Sequence, residues 1–323
     1  MKKEREFGII STEESKRLIQ SEEVQMMKVL NFGSLNIDAC YKVDRFACAG
    51  ETVDSLSLTK TAGGKGLNQS LALARAGANV FHAGCVGEDG AFLRELLEKS
   101  GVDCSLLFTK DVPTGHAIIQ IEPNGQNCIL LYGGANRTVT PEHIDKAIDK
   151  LDKGDWVLLQ NEINNVSQII EKASAKGLKI ALNPSPFAGV KDMPLDKVDR
   201  FIMNEYEASE LLDGVAEEDL PKKLPEAFPK ADFIVTLGSR GALYISKDKC
   251  CFEPIVDIEV VDTTGAGDTF TGYVMAELMN GKTVEQAMKT ASAASALAVS
   301  ALGASDSIPT YAQVEEMLKR REG

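Results

Sequence analysis

The chain has 323 residues, with 35 Lys and Arg against 48 Asp and Glu and a formal net charge of −13. A chain of this length buries roughly 75% of its unfolded surface, enough for one large domain that needs no disulfide or metal staple. Hydrophobic content of 44% with 26% charged residues is ordinary globular composition, and the acidic balance argues against a surface built to neutralise nucleic-acid phosphates or anionic lipid.

Residues 1–27 stand apart as a polar extension, peripheral or partly disordered, to which no chemistry is assigned. Ser11 and Glu14 have capping-box spacing, and Met26 and Met27 offer alternative starts just before the first strand. The segment lacks the apolar core of a signal peptide, and no apolar run approaches the ~18 residues of a membrane span. A cytoplasmic protein is expected.

From Lys28 onward the pattern is regular. Lys28–Phe32, Val80–Val86, Asp155–Gln160, Lys179–Leu182, Phe201–Met203 and Asp232–Leu237 read as strands that are apolar on both faces. Helix-like stretches separate them, several closed by Gly77, Gly101, Gly177 and Gly281. Strands without alternation, separated by amphipathic helices, indicate an α/β fold whose mostly parallel sheet is covered on both sides. Thr283–Leu302 and Thr310–Arg321 close the chain as helices. Two stretches break the pattern: 39–61 carries short alternating runs around Gly50, and 114–133 reads as a hairpin with a turn at Glu122-Pro123-Asn124-Gly125-Gln126. Together they predict a small antiparallel sheet projecting from the main domain, either a lid or a plain structural flap. The domain proper is thus 28–323.

Seven cysteines with no C-x-x-C spacing read as buried free thiols of a reducing compartment. The three histidines stand at ligand spacing from none of them, which argues against zinc.

Three segments carry candidate chemistry. Asp262-Thr263-Thr264-Gly265-Ala266-Gly267-Asp268 is expected as a β-rich run entering a small-residue turn and then a helix. Backbone N–H groups converging there would favour an anion, with Asp268 at its mouth as a base; a plain turn with a capping Asp is the other reading. Gly63-Gly64-Lys65-Gly66 with Asn68 reads as a glycine-rich turn before a helix at Ser70–Ala76, offering close backbone approach, a cation and an amide, and equally a mere turn. It matches neither a Walker loop nor a dinucleotide fingerprint. Asn36 and Asp38 alternate behind the first strand, and Glu162 stands behind a later one, positions from which they could grip vicinal hydroxyls. Asn204 and Glu207 form N-x-x-E after another strand. Thr236, Gly238 and Ser239 lie at a strand-to-turn junction, and 298–307 is a helix end and loop.

Taken in their order along the chain, these motifs resemble the ribokinase (PfkB-type) family of carbohydrate kinases, and the resemblance covers the chain from Lys28 to its end. It implies a ribokinase-like fold and an ATP-dependent kinase acting on a sugar's primary hydroxyl. D-Ribose is the first substrate expected; deoxyribose, fructose, 2-keto-3-deoxygluconate or a nucleoside is the alternative. By the same resemblance Asp268 is the general base, and Gly265, Ala266 and Gly267 form the anion hole. Asn36, Asp38, Gly64, Lys65, Asn68 and Glu162 bind the sugar. Asn204, Thr236, Gly238 and Ser239 meet the nucleotide, and Glu207 holds Mg²⁺ through water. Asp262, Thr264, Ala298, Ala301, Gly303 and Ser307 surround K⁺. The lid doubles as a homodimer clasp; nucleic acid and membrane are not partners.

Overall fold

The computed structural model describes residues 27–322. The expected extension therefore lies, Met27 apart, outside the described residues. The chain runs through β1 (Lys28–Phe32), β2 (Asn36–Lys42), β3 (Ser57–Gly63), α1 (Lys65–Arg75), β4 (Asn79–Gly87), α2 (Ala91–Lys99), β5 (Asp103–Lys110), β6 (Gly115–Ile121) and β7 (Asn127–Tyr132). It continues through α3 (Pro141–Asp149), β8 (Trp156–Gln160), α4 (Val166–Lys176), β9 (Lys179–Asn183), β10 (Arg200–Asn204), α5 (Glu205–Leu211), α6 (Leu220–Ala227) and β11 (Asp232–Thr236). β12 (Gly241–Ile245), β13 (Cys250–Pro254), α7 (Ala266–Met279), α8 (Val284–Val299) and α9 (Tyr311–Glu322) complete it.

The main sheet has the order β13-β12-β11-β10-β9-β8-β1-β4-β5. Every neighbouring pair from β11 to β5 is parallel, and β12 is antiparallel to both its neighbours. The strands are apolar on both faces because both faces are covered. Leu67, Leu93, Tyr273, Met288 and Val314 of α1, α2, α7, α8 and α9 pack one core. Ile144, Ile170, Ala208 and Leu224 of α3 to α6 pack the other. From β1 the chain moves to β4 and β5 on one side, then returns to build β8 to β11 on the other. That reversal opens a crevice beyond the carboxyl ends of β1 and β8, where such sheets bind ligands.

Helix α7 is buried almost all round, as a central helix must be. It crosses α1 at Gly272: a Cβ there would stand 2.3 Å from the Ala72 Cβ and 2.8 Å from the Leu73 nitrogen. Alanine in a helix interior normally gains about 0.5–1 kcal/mol over glycine. Here the expected sign is reversed, because neither opposing group can move away. Gly272→Ala should lower the thermal midpoint, and Gly272→Val should lower it by roughly 5–10 °C, corresponding to about 3 kcal/mol of overpacking. Thermal unfolding of both variants checks this.

A second sheet has the order β3-β2-β6-β7. It is mixed rather than antiparallel, because β2 and β6 run parallel while the β2–β3 and β6–β7 pairs are antiparallel. The expected hairpin turn closes with Glu122 N–H donating to the Gln126 carbonyl at 3.0 Å. Four other expectations change. All seven cysteines are free, but only Cys85 and Cys104 are buried, whereas Cys48, Cys128 and Cys250 are exposed. Edge strands β5 and β13 were not read from the sequence. The β-rich run expected before the turn at Gly265 forms no strand, since the N–H groups of Val261 and Asp262 both turn to the Val299 carbonyl. Finally, the helix after the glycine-rich turn begins at Lys65, not Ser70.

Candidate active site

Two helix N-termini meet at the crevice. Gly265, with φ of 77°, turns the chain into α7, a conformation that disfavours any side chain. No side chain caps α7. Asp268 sits in its first turn, yet its carboxylate faces α1: Oδ2 accepts from Asn68 Nδ2 at 3.0 Å and Oδ1 from Gln69 Nε2 at 2.9 Å. Asp268 is therefore not a cap. The Ala266 N–H makes a long bond to the Thr263 carbonyl at 3.3 Å, while the Gly267 N–H is available to an anion and the helix dipole adds to its pull. At the start of α1, the Lys65 N–H donates to Glu162 Oε2 at 3.1 Å, and the same oxygen accepts from Ser34 Oγ at 2.5 Å. That acceptor explains why the helix begins at Lys65.

Lys65, Asn204, Glu207, Thr236, Gly265, Gly267 and Asp268 line one polar cleft of about 250 Å³. Burial pulls the Lys65 ammonium down, but the carboxylates of Asp268, Glu162 and Glu207 outweigh it and hold the group above its ordinary range. Lys65 thus stands charged among three acids. Asn204 and Glu207 form a reciprocal capping box on α5: Asn204 Oδ1 accepts from Glu207 N at 2.8 Å, and Glu207 Oε2 from Asn204 N at 3.0 Å. The N-x-x-E element is thus at once a helix cap and a cleft wall. Only the second Glu207 oxygen is left for a ligand.

Beside the cleft, and sharing Thr236, Thr263 and Gly267 with it, lies a cavity of about 280 Å³ walled by Phe270, Ile255, Val260 and Val299, with Gly238, Ser239 and Ala266 at its rim. Its apolar lining suits a heterocycle, and the residues it shares with the polar cleft would let an anionic tail reach across.

On the other side of Lys65 stand Asn36 and Asp38. Asn36 Oδ1 accepts from Asn136 Nδ2 at 2.8 Å, and Asn136 also bonds both the N–H and the carbonyl of Leu35 at 3.0 Å. Burial, with the Glu162 charge adding to it, pushes the Asp38 carboxyl up to about 6. Gly64 abuts this pair: a Cβ on it would stand 2.9 Å from the Asn36 nitrogen. Asn36 and Asp38 thus set an amide and a carboxylate, both able to accept from hydroxyls, against the glycine-rich turn that leads into Lys65.

The expected cation residues gather only in part. Asp262 Oδ1 accepts from Thr264 N at 2.9 Å and Thr264 Oγ1 at 2.7 Å, and its Oδ2 accepts from Gly303 N at 3.0 Å. Burial works against that charge, but these donors outweigh it and hold the carboxyl below the usual range. Ala301 N–H donates to the Ala298 carbonyl at 3.3 Å, and Ser307 Oγ donates to the Ala304 carbonyl at 3.1 Å. Neither cavity is lined by Ala298, Ala301 or Ser307.

Sequence reasoning missed Asn136, the apolar cavity wall, and the buried amides Asn31, Gln69, Gln160 and Asn183 behind Asp268. A signal existed for three of these: Asn31, Gln160 and Asn183 are lone amides in otherwise apolar strands.

Comparison with known proteins is consistent with this geometry. The family model described as pfkB family carbohydrate kinase matches residues 26–311. The ribokinase of Bacillus subtilis (strain 168) is 33% identical over 300 residues, spanning 91% of this chain and 100% of that protein. The deoxyribokinase of Salmonella typhimurium (strain LT2) is 32% identical over 310 residues, spanning 92% of this chain and 100% of the relative. The solved structure of Arabidopsis thaliana ribokinase complexed with ribose and ATP superposes with a TM-score of 0.80 at 29% identity, covering 91% of this chain and 99% of that one.

Proposed function

The chain belongs to the pfkB family of carbohydrate kinases, and we propose that it transfers the γ-phosphoryl group of ATP to the primary hydroxyl of D-ribose, giving ribose 5-phosphate and ADP. The observation that carries this reading is the carboxylate of Asp268 at the start of α7, held by two amides of α1 and lining one cleft with Lys65 and Glu207.

In the step itself, Asp268 takes the proton of the sugar hydroxyl as that oxygen attacks the γ-phosphorus. The new O–P bond forms while the bond to the β–γ bridging oxygen breaks, and ADP leaves. The proton on Asp268 then passes to solvent. The N–H groups of Ala266 and Gly267, with the ammonium of Lys65, hold the charge that develops on the transferring group. Asn36, Asp38, Gly64, Asn68 and Glu162 bind the sugar and aim its hydroxyl. Asn204, Thr236, Gly238 and Ser239 meet the nucleotide.

When bound with ATP, Mg²⁺ would offset the negative charge of the triphosphate. One cleft-facing carboxylate fits an ion that keeps most of its waters, and Glu207 would hold it through water. For K⁺, the Asp262 carboxylate together with backbone carbonyls around Thr264, Ala298, Ala301 and Gly303 and the Ser307 hydroxyl forms an oxygen-only donor set. Exchange of K⁺ for Na⁺ tests that assignment, and equal turnover in both would remove it. The second sheet is placed as a lid over the sugar. By register Leu58, Leu130 and Tyr132 share one face of it, and Ile129 and Leu131 lie on the face that carries Asn36 and Asp38; this exposed apolar surface is assigned to a second copy of the chain. Sedimentation velocity tests this, and a single chain per particle at micromolar concentration would contradict it.

Because the ionised Asp38 accepts on both oxygens in charge-assisted bonds, while the protonated form turns one oxygen into a donor, a carboxyl raised to about 6 makes sugar binding pH-sensitive. The protonated form accumulates below that value. The sugar KM is therefore expected to climb by about tenfold per unit as pH falls below 6, with the ATP KM little changed. Steady-state kinetics between pH 5 and 8 read this, and a flat sugar KM would remove Asp38 from the role.

Similarity to a deoxyribokinase at nearly the same identity makes 2-deoxyribose the second reading. Coupled ADP release with Mg-ATP on ribose, 2-deoxyribose, fructose, 2-keto-3-deoxygluconate, adenosine and pseudouridine separates the two. Highest kcat/KM on ribose supports the proposal, and preference for any other acceptor replaces ribose while leaving the chemistry intact.

A further inference from the structure

Behind Asp268 lies a set of buried side-chain amides, of which only Asn183 reaches the wall of the polar cleft. Gln69, Asn31 and Gln160 are essentially fully buried, and Asn183 is 9% exposed. Each is neutral, and an apolar core would be simpler to fold, since a buried polar network stabilises only when its partners are matched.

The direction of every bond in this relay is set at two backbone anchors. Asn31 Nδ2 donates to the Gly66 carbonyl at 2.7 Å and to Ser70 Oγ at 2.8 Å. A carbonyl can only accept, so Asn31 Oδ1 must face the other way, where it accepts from Gln160 Nε2 at 2.9 Å. Gln160 Nε2 also donates to Gln69 Oε1 at 2.6 Å. On the second arm, Asn183 Nδ2 donates to the Ile202 carbonyl at 2.8 Å, which turns Asn183 Oδ1 to accept from Gln69 Nε2 at 3.1 Å. Both arms therefore force the Gln69 amide to present its remaining N–H to Asp268 Oδ1, at 2.9 Å. The relay keeps this polarity although it leaves Gln160 Oε1 without a partner.

We propose that Gln69 is a positioning residue for the phosphoryl transfer: the anchored relay Asn31–Gln160–Gln69–Asn183 locks its N–H onto Asp268 Oδ1 and fixes the plane of the carboxylate that receives the sugar's proton. This rests on Asp268 as the base. A fixed donor at that oxygen leaves the other lone pairs of Asp268 to face the cleft it lines. Asn68 holds Oδ2 but lacks such an anchor, because its own Oδ1 has no partner. Orientation of the base is thus assigned to Gln69 rather than to Asn68.

The test is a double-variant cycle on the full-length enzyme with Mg-ATP and whichever sugar the wild type phosphorylates best, so a change of sugar leaves it intact. Gln69→Leu is expected to lower kcat about 30- to 100-fold, with both KM values within about threefold, as loss of alignment does. In the Asp268→Asn background the same substitution should change kcat by less than about twofold, because there is no base left to orient. A kcat within threefold of wild type, or an equal fall in both backgrounds, overturns the proposal. Should Gln69→Leu fail to fold, Gln160→Leu carries the test, since it keeps Gln69 but frees it to turn. A fall of about tenfold that vanishes in the Asp268→Asn background is then expected, and an unchanged kcat overturns the proposal.

Discussion

Asp268→Asn is expected to fold with the stability of the parent, to bind sugar and ATP with little change, and to turn over at least about 10³-fold more slowly. The structure explains why binding and stability should survive. The native carboxylate accepts one bond on each oxygen, from Asn68 and Gln69. An amide offers one oxygen and one NH₂, so one neighbour must turn. Gln69 is held from behind by Gln160, but Asn68 Oδ1 has no partner and can rotate to accept. The variant therefore keeps both bonds and loses only its basicity. Steady-state kinetics with isothermal binding of ATP and sugar check this. Turnover within tenfold of the parent would take the base out of the mechanism.

The second large effect belongs to Lys65. Its ammonium is the cation among Asp268, Glu162 and Glu207, and those acids hold it charged. Its removal leaves three carboxylates facing an incoming triphosphate. Lys65→Met is expected to lower kcat/KM for ATP by about 10²- to 10³-fold, the range for loss of one charge-stabilising donor, with Lys65→Arg recovering part of it. The resemblance placed Lys65 with the sugar, but its position in the phosphate cleft predicts that kcat and the ATP KM move. A rise in the sugar KM alone would return Lys65 to the purely sugar-binding role.

The strands of the parallel sheet were legible because burial on both faces leaves uninterrupted apolar runs, as in β8 with Trp156-Val157-Leu158-Leu159. Edge strands β5 and β13 were not, since residues such as Ser105, Thr109 and Glu253 interrupt that signal where one side meets solvent. The opposite error arose in the run before Gly265, where the exposure of Val261 shows that β-branched composition alone does not make a strand. Within the site, Lys65, Asn68 and Asp268 were readable because a glycine-rich helix start is local in sequence. The double use of Asn204 and Glu207 was hidden, because a capping box and a ligand-facing acid have the same spacing. The relay behind Asp268 was hidden for another reason. Gln160 and Gln69 are 91 positions apart, and only the fold makes them neighbours.

The claim that the γ-phosphoryl group passes to the primary hydroxyl of ribose is tested most directly by following the wild-type enzyme, D-ribose and Mg-ATP by phosphorus NMR. One new phosphomonoester, coupled to the C5 methylene protons and formed in equal amount with ADP, is the predicted result. A phosphate on the anomeric oxygen, or ATP consumed with no sugar phosphate formed, would contradict it.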